Sequence, residues 1–392
     1  MIGKEAAPAA TDTPRHLPAL DGLRAIAILL VIPHNVYVFE STGGWLAPFA
    51  WLANAGWIGV QLFFVLSGFL ITRNLLDSRG ASNYYSAFFG RRILRIFPLY
   101  FLVLTVFLLV LPEFVDLSAN VRSSYANQKW LWLFLSNWAQ PFGKEVYWFP
   151  HFWSLAVEEQ FYLLWPLIIA VTPTRRLIPV CLTLVIVALI LRVVMLGAGA
   201  TPEMIYMFTV CRMDALAIGA LAAVLAGIPE FMRVVRERAT LLLAAAFIVL
   251  GVGALFTHSY TAYDSGTLTM GHTLLAVSMT TVLLAVIAGS PNLAPTWLSA
   301  ALRVPALRSV GKFSYAMYVF HIPLSILVGA PLLPALKRLG PGYPVWYAIW
   351  IAVCSYLAAM ASYHLLEKHF LRAKRYFVPA TDYRAPTARF RT

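Results

Sequence analysis

The chain is poor in charge and poor in cysteine, and it carries none of the short signatures that cradle nucleotides. Charged residues make up 12% of its 392 positions against 60% hydrophobic, with a mean hydropathy of +0.74. Soluble domains carry roughly twice that share of charge, so the composition excludes a pair of soluble domains and points to a membrane protein. The three cysteines, Cys181, Cys211 and Cys354, lie far apart in apolar stretches without CxxC or ligand spacing, and read as packing residues. No Walker loop, dinucleotide fingerprint or G-x-S-x-G elbow occurs. No internal repeat is visible either, which disfavours a transporter built from two related halves. The first nineteen residues are polar and rich in Ala and Pro, and the apolar run after them lacks a small-residue cleavage site. It is therefore expected to stay as a first span and not to leave as a signal peptide.

What charge there is has a sign. The formal net charge is +13 and the pI about 9.8. The basic residues fall mainly in short connections and at the tail, with no polar domain to carry a nucleic-acid surface, so no nucleic-acid partner is expected. Apolar windows fall near 20–40, 56–76, 96–112, 152–172, 177–196, 205–227, 239–257, 271–289, 313–333 and 345–366. The expected fold is thus all-α, a polytopic bundle of about ten transmembrane helices. With the amino terminus inside, the cytoplasmic side inherits most of the arginines and the tail from Lys368, and the outside keeps only Arg122, Lys129, Lys144, Lys337 and Arg338. That asymmetry predicts both termini in the cytoplasm. Residues 1–19 read as a disordered cytoplasmic tail, 20–372 as the transmembrane domain and 373–392 as a basic cytoplasmic tail.

One stretch organises the candidate chemistry. His151 to Pro166 reads HFWSLAVEEQFYLLWP and sets two adjacent carboxylates, Glu158 and Glu159, inside an apolar run. An ionisable group at membrane depth faces the protein interior or a wet cavity, and marks a functional site by default. The alternative is a structural pair of acids satisfied by a neighbouring arginine. The first span, LDGLRAIAILLVIPHN, carries Asp21, Arg24 and His34. Arg24 sits near the cytoplasmic entry, where its side chain can snorkel. At about 1.5 Å per residue, His34 lies about 21 Å above that entry. The glutamates lie about 9 to 10 Å below the outer end of their own span by the same rise, so the two estimates coincide in depth. A neutral imidazole with a carboxylate behind it is the pair needed to abstract a hydroxyl proton; a hydrogen-bonded bundle histidine is the bland reading.

Arg91, Arg92 and Arg95 cluster within five residues after the second span. Such a cluster suits bidentate binding of phosphates or of anionic membrane lipid headgroups. Arg212 and Asp214 lie a turn or two below the outer face, where Arg212 is expected to pair with Glu158 or Glu159 or to help bind an acceptor. GKFSYAMYVFHIPL carries Ser314, Tyr315, Tyr318 and His321, with packing favoured for His321 over a place in a tunnel wall. Glu367 closes the last span, and the Ser67-Gly68 step can allow close helix approach. The outer connection holds Trp130, Trp132, Trp138 and Trp148, read as interfacial anchors ahead of a sugar platform. His258 and His272, with Asp264 between them, fit no metal-ligand pattern, and no metal is expected.

Taken together, LDGLRAIAILLVIPHN, GVQLFFVLSGFLI through RRILRIFP, HFWSLAVEEQFYLLWP, RMDALAIGALAA, GKFSYAMYVFHIP and the terminal LLEKHF resemble the acyltransferase 3 family of integral membrane O-acyltransferases, in that family's order and over about residues 18 to 372. The resemblance implies transfer of an acyl group, often acetyl, from cytoplasmic acyl-CoA as co-substrate to a hydroxyl. The implied acceptors are surface polysaccharides, lipid-linked glycans or macrolides. It implies roles for Arg24 and His34, for the RRxxR arginines and for the Glu of WSLxxEE. The site residues expected on this basis are His34, Glu158 and Glu159 for catalysis and Arg24, Arg91, Arg92 and Arg95 for the donor. Trp153, Ser154 and Arg212 are the expected acceptor-side residues, with Ser154, Arg212 and backbone amides as oxyanion donors. A glycan or lipid transporter is the reading from another class, and dependence on acyl-CoA separates the two.

Two positions depart from the family pattern. Members commonly place ten residues between the first-span Arg and His, whereas here Ala25 to Pro33 is nine. At about 100° per residue the ten-step separation leaves Arg24 and His34 roughly 80° apart, and Asn35 occupies the eleventh step that returns to the same face. Pro33 can kink or rewind the helix and so change the facing. His34 is taken as the base because Asn is a poor one. Gln61 stands where many members have Asp.

Overall fold

The computed structural model describes residues 17–36, 38–39, 44–115, 118–144, 146–289 and 296–380. The two tails expected at 1–19 and 373–392 therefore lie largely outside the described residues. The apolar windows form ten long helices: α1 (Pro18–Asn35), α2 (Ile58–Asp77), α3 (Tyr84–Thr105), α4 (Trp153–Val171), α5 (Thr174–Gly197), α6 (Thr209–Ala226), α7 (Ala239–Phe256), α8 (His272–Ala288), α9 (Pro305–Leu324) and α10 (Tyr343–Ser362), with no strand among the described residues. Nine segments of these residues are long and apolar enough to cross a membrane. The helix outside that set is α1, whose Asp21, Arg24, His34 and Asn35 lower its hydropathy although it packs lengthwise against α9 and α2. The chain is a multi-pass helical membrane protein.

In lipid, apolar surface gains little by leaving the solvent, so helices associate through close packing and interhelical hydrogen bonds. The crossing of α2 and α6 displays both. A Cβ on Gly68 would run into the Leu216 carbonyl, and one on Gly219 into that of Val65, so the two backbones touch through reciprocal glycines. The close approach expected at Ser67-Gly68 is thus made against α6. Nearby, the fully buried Trp165 donates its indole N–H to Thr72 Oγ1 at 2.7 Å and Trp57 donates to the Tyr260 carbonyl at 3.0 Å. Gly68→Val is expected to lower stability by about 1–3 kcal/mol or more, through overpacking against an immobile backbone. A thermal scan of the detergent-solubilised variant checks this.

Helix ends differ from the hydropathy windows where polar residues sit inside a helix. The third helix was expected from about 96, but α3 begins at Tyr84 and carries Arg91, Arg92 and Arg95 in its first half. An amphipathic helix can run guanidinium groups along one face while Ala87, Phe88 and Ile96 are buried on another. A window average sees that face as a helix end. The last two helices continue as π-helical turns, Ser325–Gly329 after α9 and Tyr363–Glu367 after α10. Three of the four tryptophans of the 113–151 connection pack against the bundle. Trp148 is buried and donates to Tyr125 OH at 3.1 Å, Trp138 stacks on Phe208 and donates to Gln160, and Trp132 stacks on Phe101.

Candidate active site

The starts of α1 and α9, the first half of α3 and the middle of α4 enclose a cavity of about 740 Å³. Its wall carries Arg24, Arg92, Arg95, Arg308, Lys312 and Lys374, against Asp21, Glu158, Glu159 and Glu367. Six basic against four acidic side chains give the cavity a net positive lining, and the side on which it opens is called the basic face. Buried Nε atoms of Arg24 and Arg308 have no hydrogen-bond partner among the described residues, which leaves donors for a ligand. Arg91 does not line the cavity; its Nε donates to the Ala87 carbonyl of its own helix at 2.9 Å. Of the three clustered arginines, two reach the site and the first does not, because Arg91 lies about 100° around the helix from Arg92.

Glu158 forms the inner wall. Ser67 Oγ donates to its Oε1 at 2.8 Å and Tyr162 OH to its Oε2 at 2.8 Å, while Arg92 lies over the Tyr162 ring at 5.0 Å. Serine, carboxylate, tyrosine and guanidinium thus form one fixed chain across α2, α4 and α3. Beyond Glu158 the space narrows to a neck of about 50 Å³, bounded by Phe63, Phe64, Ser154, Tyr315 and Tyr318. At its end Ser154 Oγ and Tyr318 OH are 2.6 Å apart, and Tyr318 OH donates to the His151 carbonyl at 2.8 Å.

His34 is not part of this space. Its Nδ1 lies 3.2 Å from the Ala53 carbonyl of the short helix Ala47–Asn54, and it lines neither the cavity nor the neck. Glu158 shares its cavity with Arg24 instead. Equal depth in the bundle therefore does not bring His34 into the cavity that holds the carboxylates. α1 stays α-helical through Pro33 to Asn35. Asn35 Nδ2 is 2.9 Å from His321 Nε2.

Arg212 also takes another partner. Its Nη2 donates to Gln61 Oε1 at 2.6 Å and its guanidinium sits among Phe64, Trp153 and Tyr206 at 5.1–5.7 Å, rather than on Glu158 or Glu159. Gln61 Nε2 in turn donates to the His272 carbonyl at 2.7 Å. Asp214 pairs with Arg192 at 2.8 Å, both fully buried, a contact that sequence spacing gave no means of finding. Trp153 is thus a wall of the Arg212 box, and Ser154 a wall of the neck. His258 meets Asp264 at 2.7 Å on the surface, away from His272, which is buried against Trp57 and Tyr206.

A family model described as an acyltransferase domain matches residues 17–367. The chain belongs to the acyltransferase 3 family. Among curated relatives of this family, Bacillus subtilis YrhL is 31% identical over 388 residues, covering 91% of this chain and 55% of the relative. The peptidoglycan O-acetyltransferase OatA of Listeria monocytogenes is 27% identical, covering 90% and 55%. The O-acetyltransferase OatA of Staphylococcus aureus is 27% identical, covering 91% and 57%. The chain thus spans about half the length of these relatives. No solved structure matches it. Seen as a member of the acyltransferase 3 family, the chain keeps the first-span arginine and the WSLxxEE glutamate in one cavity. Asn35 and Gln61 lie outside that cavity, Asn35 against His321 and Gln61 against Arg212.

Proposed function

We propose that the chain is an O-acyltransferase that moves an acetyl group from acetyl-CoA, held in the basic cavity, to a hydroxyl of a carbohydrate polymer that reaches the neck from the opposite face. The observation that carries this reading is the polyanion cavity continuous with a narrow neck: a charged chamber for nucleotide phosphates and a slot for a thin reactive arm. The 50 Å³ neck suits the end of an acyl chain and not a nucleotide. Arg92 and Arg95, with Lys312 and Lys374 across the mouth, neutralise phosphates, and Arg24 adds a donor deeper in. Arg91 has no part in this reading.

Glu158 acts as a positioning residue. With both oxygens engaged by Ser67 and Tyr162, it fixes the ring beneath Arg92 and balances the charge of Arg24. The basic face is cytoplasmic in this reading, which puts both termini inside by the lysine and arginine bias. A peptidoglycan glycan is the acceptor class suggested by the names of the Listeria and Staphylococcus relatives. The test uses purified protein in nanodiscs with acetyl-CoA and soluble peptidoglycan fragments, with free thiol followed by a colorimetric reagent. Thiol release that needs both substrates is expected. Release without dependence on any hydroxyl acceptor would point to a thioesterase, and none at all would remove the acyl-CoA donor.

A further inference from the structure

Part of the wall of the basic cavity comes from the far end of the chain. The family match ends at Glu367, and the chain continues as a short helix, Lys368–Arg372, and a 3-10 turn, Ala373–Phe377. This segment packs along the first half of α3, the helix that carries Arg92 and Arg95. Lys374 lines the cavity together with those two arginines. It has no hydrogen-bond or ion-pair partner among the described residues. Two of the acids in the wall are otherwise engaged, Glu158 by Ser67 and Tyr162, and Glu367 by Ser362 Oγ at 3.0 Å. Like charges repel, so contacts without charge have to keep Lys374 on this wall.

The start of α3 supplies two such contacts. Asn83 is the N-cap residue of α3, a position where an Asn side chain ordinarily accepts a backbone N–H from its own first turn. It makes no such bond. Its Nδ2 instead donates to the Val378 carbonyl at 2.8 Å, and its Oδ1 accepts the Ala380 N–H at 2.7 Å, so one side chain clips the segment's backbone twice. About two turns further on, the Phe377 ring lies on Gly90, where a Cβ would sit 2.1 Å from the ring's Cδ1. Glycine is costly inside a helix, and here it makes room for that ring.

We propose that residues 368–380 form a strap that places Lys374 on the phosphates of the donor, with Asn83, Gly90 and Phe377 as its positioning residues. The inference rests on the acyl-CoA reading of the cavity. A donor phosphate supplies the counter-charge that this wall lacks. Lys374 meets it as a point charge, beside the flat guanidinium groups of Arg92 and Arg95. The strap makes and breaks no bond in the reaction, and acts on how tightly the donor is held.

The experiment titrates acetyl-CoA by calorimetry into the full-length protein in nanodiscs, at low and high salt, with the thermal midpoint measured alongside. Wild type is compared with Lys374→Gln, Lys374→Arg, Gly90→Ala, Phe377→Ala and the Phe377→Ala, Lys374→Gln double variant. Lys374→Gln is expected to weaken binding about tenfold and to flatten its salt dependence, the effect of one charge-assisted contact. Lys374→Arg should restore most of the affinity. Gly90→Ala is expected to weaken binding about threefold or more while the midpoint holds or rises, since alanine is the better helix former and the Phe377 ring can swing aside. A glycine needed only for packing would lose midpoint and leave the salt dependence alone. Phe377→Ala should cost about as much as Gly90→Ala, and should add nothing once Lys374 is Gln, because it acts through Lys374. Losses from Phe377→Ala and Lys374→Gln that multiply in the double variant overturn the proposal. A wild type that binds no acetyl-CoA overturns the acyl-CoA reading and the inference with it; a wild type that binds, with Lys374→Gln binding equally well, overturns the inference alone.

Discussion

Arg92→Ala combined with Arg95→Ala is expected to weaken acetyl-CoA binding by at least about 100-fold, with the helices intact. Hydrogen bonds to charged groups contribute about 1.5–3 kcal/mol each, and about 1.4 kcal/mol is tenfold in affinity. Two such contacts therefore account for two orders of magnitude even at the low end. Lys312, Lys374 and Arg308 remain in the wall and keep the loss from growing further. Because the mouth is open to solvent, part of the wild-type affinity should disappear with added salt, and the double variant should show a flatter salt dependence. Arg91→Ala is the informative partner. Its side chain points along its own helix to Ala87, so affinity should change by no more than about 1 kcal/mol, the worth of a surface charge. Calorimetric titration in nanodiscs reads all three. Equal losses from Arg91→Ala and from the double variant would mean that the cluster acts as a diffuse field and not through the cavity.

Asp214→Ala is expected to be among the most destabilising substitutions in the chain. Asp214 Oδ2 takes Arg192 Nη1 at 2.8 Å and Thr273 Oγ1 at 2.7 Å, and Oδ1 takes the Ala215 N–H at 2.8 Å. Arg192 also donates to the Thr269 and Cys211 carbonyls, at 3.0 and 2.7 Å, tying α5 to the start of α8 and to α6. Removing the carboxylate leaves a fully buried guanidinium without its counter-charge, a change worth about 3–5 kcal/mol. Asp214→Asn keeps the shape and two hydrogen-bonding atoms and should lose less. A thermal scan that puts both variants at the wild-type midpoint would show that water reaches Arg192 and that the pair is not structural.

The helices were legible because each is a long apolar run, and only a helix satisfies its own backbone in lipid. Their ends were less so. α3 hides its first turns behind Arg91, Arg92 and Arg95, whose charge ends an averaged window but not an amphipathic helix. The carboxylate-arginine cavity was legible as residue types, since buried charges at membrane depth must gather around something polar. Its partners were not. Depth is one coordinate of three, and it placed His34 beside Glu158 and Arg212 beside either glutamate without knowing which helix face each presents. Gln61 and not Glu158 faces Arg212 because α2 crosses α6 at the Gly68–Gly219 contact, a geometry set by two glycines on different helices. The Asn35 contact was closer to the surface of the sequence. Eleven steps from Arg24 at about 100° each return to one face, and His34 is favoured over Asn35 because Asn is a poor base, with Pro33 able to change the facing. Nothing in the chain order announced that His151 would lie 4.6 Å from His321, since 170 residues separate them.

The most direct test of the account is to follow the acetyl group itself. Purified protein in nanodiscs is given acetyl-CoA with a labelled acetyl carbon and soluble peptidoglycan fragments, and the glycan fraction is counted before and after mild alkaline hydrolysis. The account predicts label on the glycan in an alkali-labile ester, equal in amount to the thiol released and abolished by the Arg92→Ala and Arg95→Ala pair. Label that never leaves acetyl-CoA while the protein binds it at the basic cavity would contradict the central claim that cavity and neck together form an acyl-transfer site.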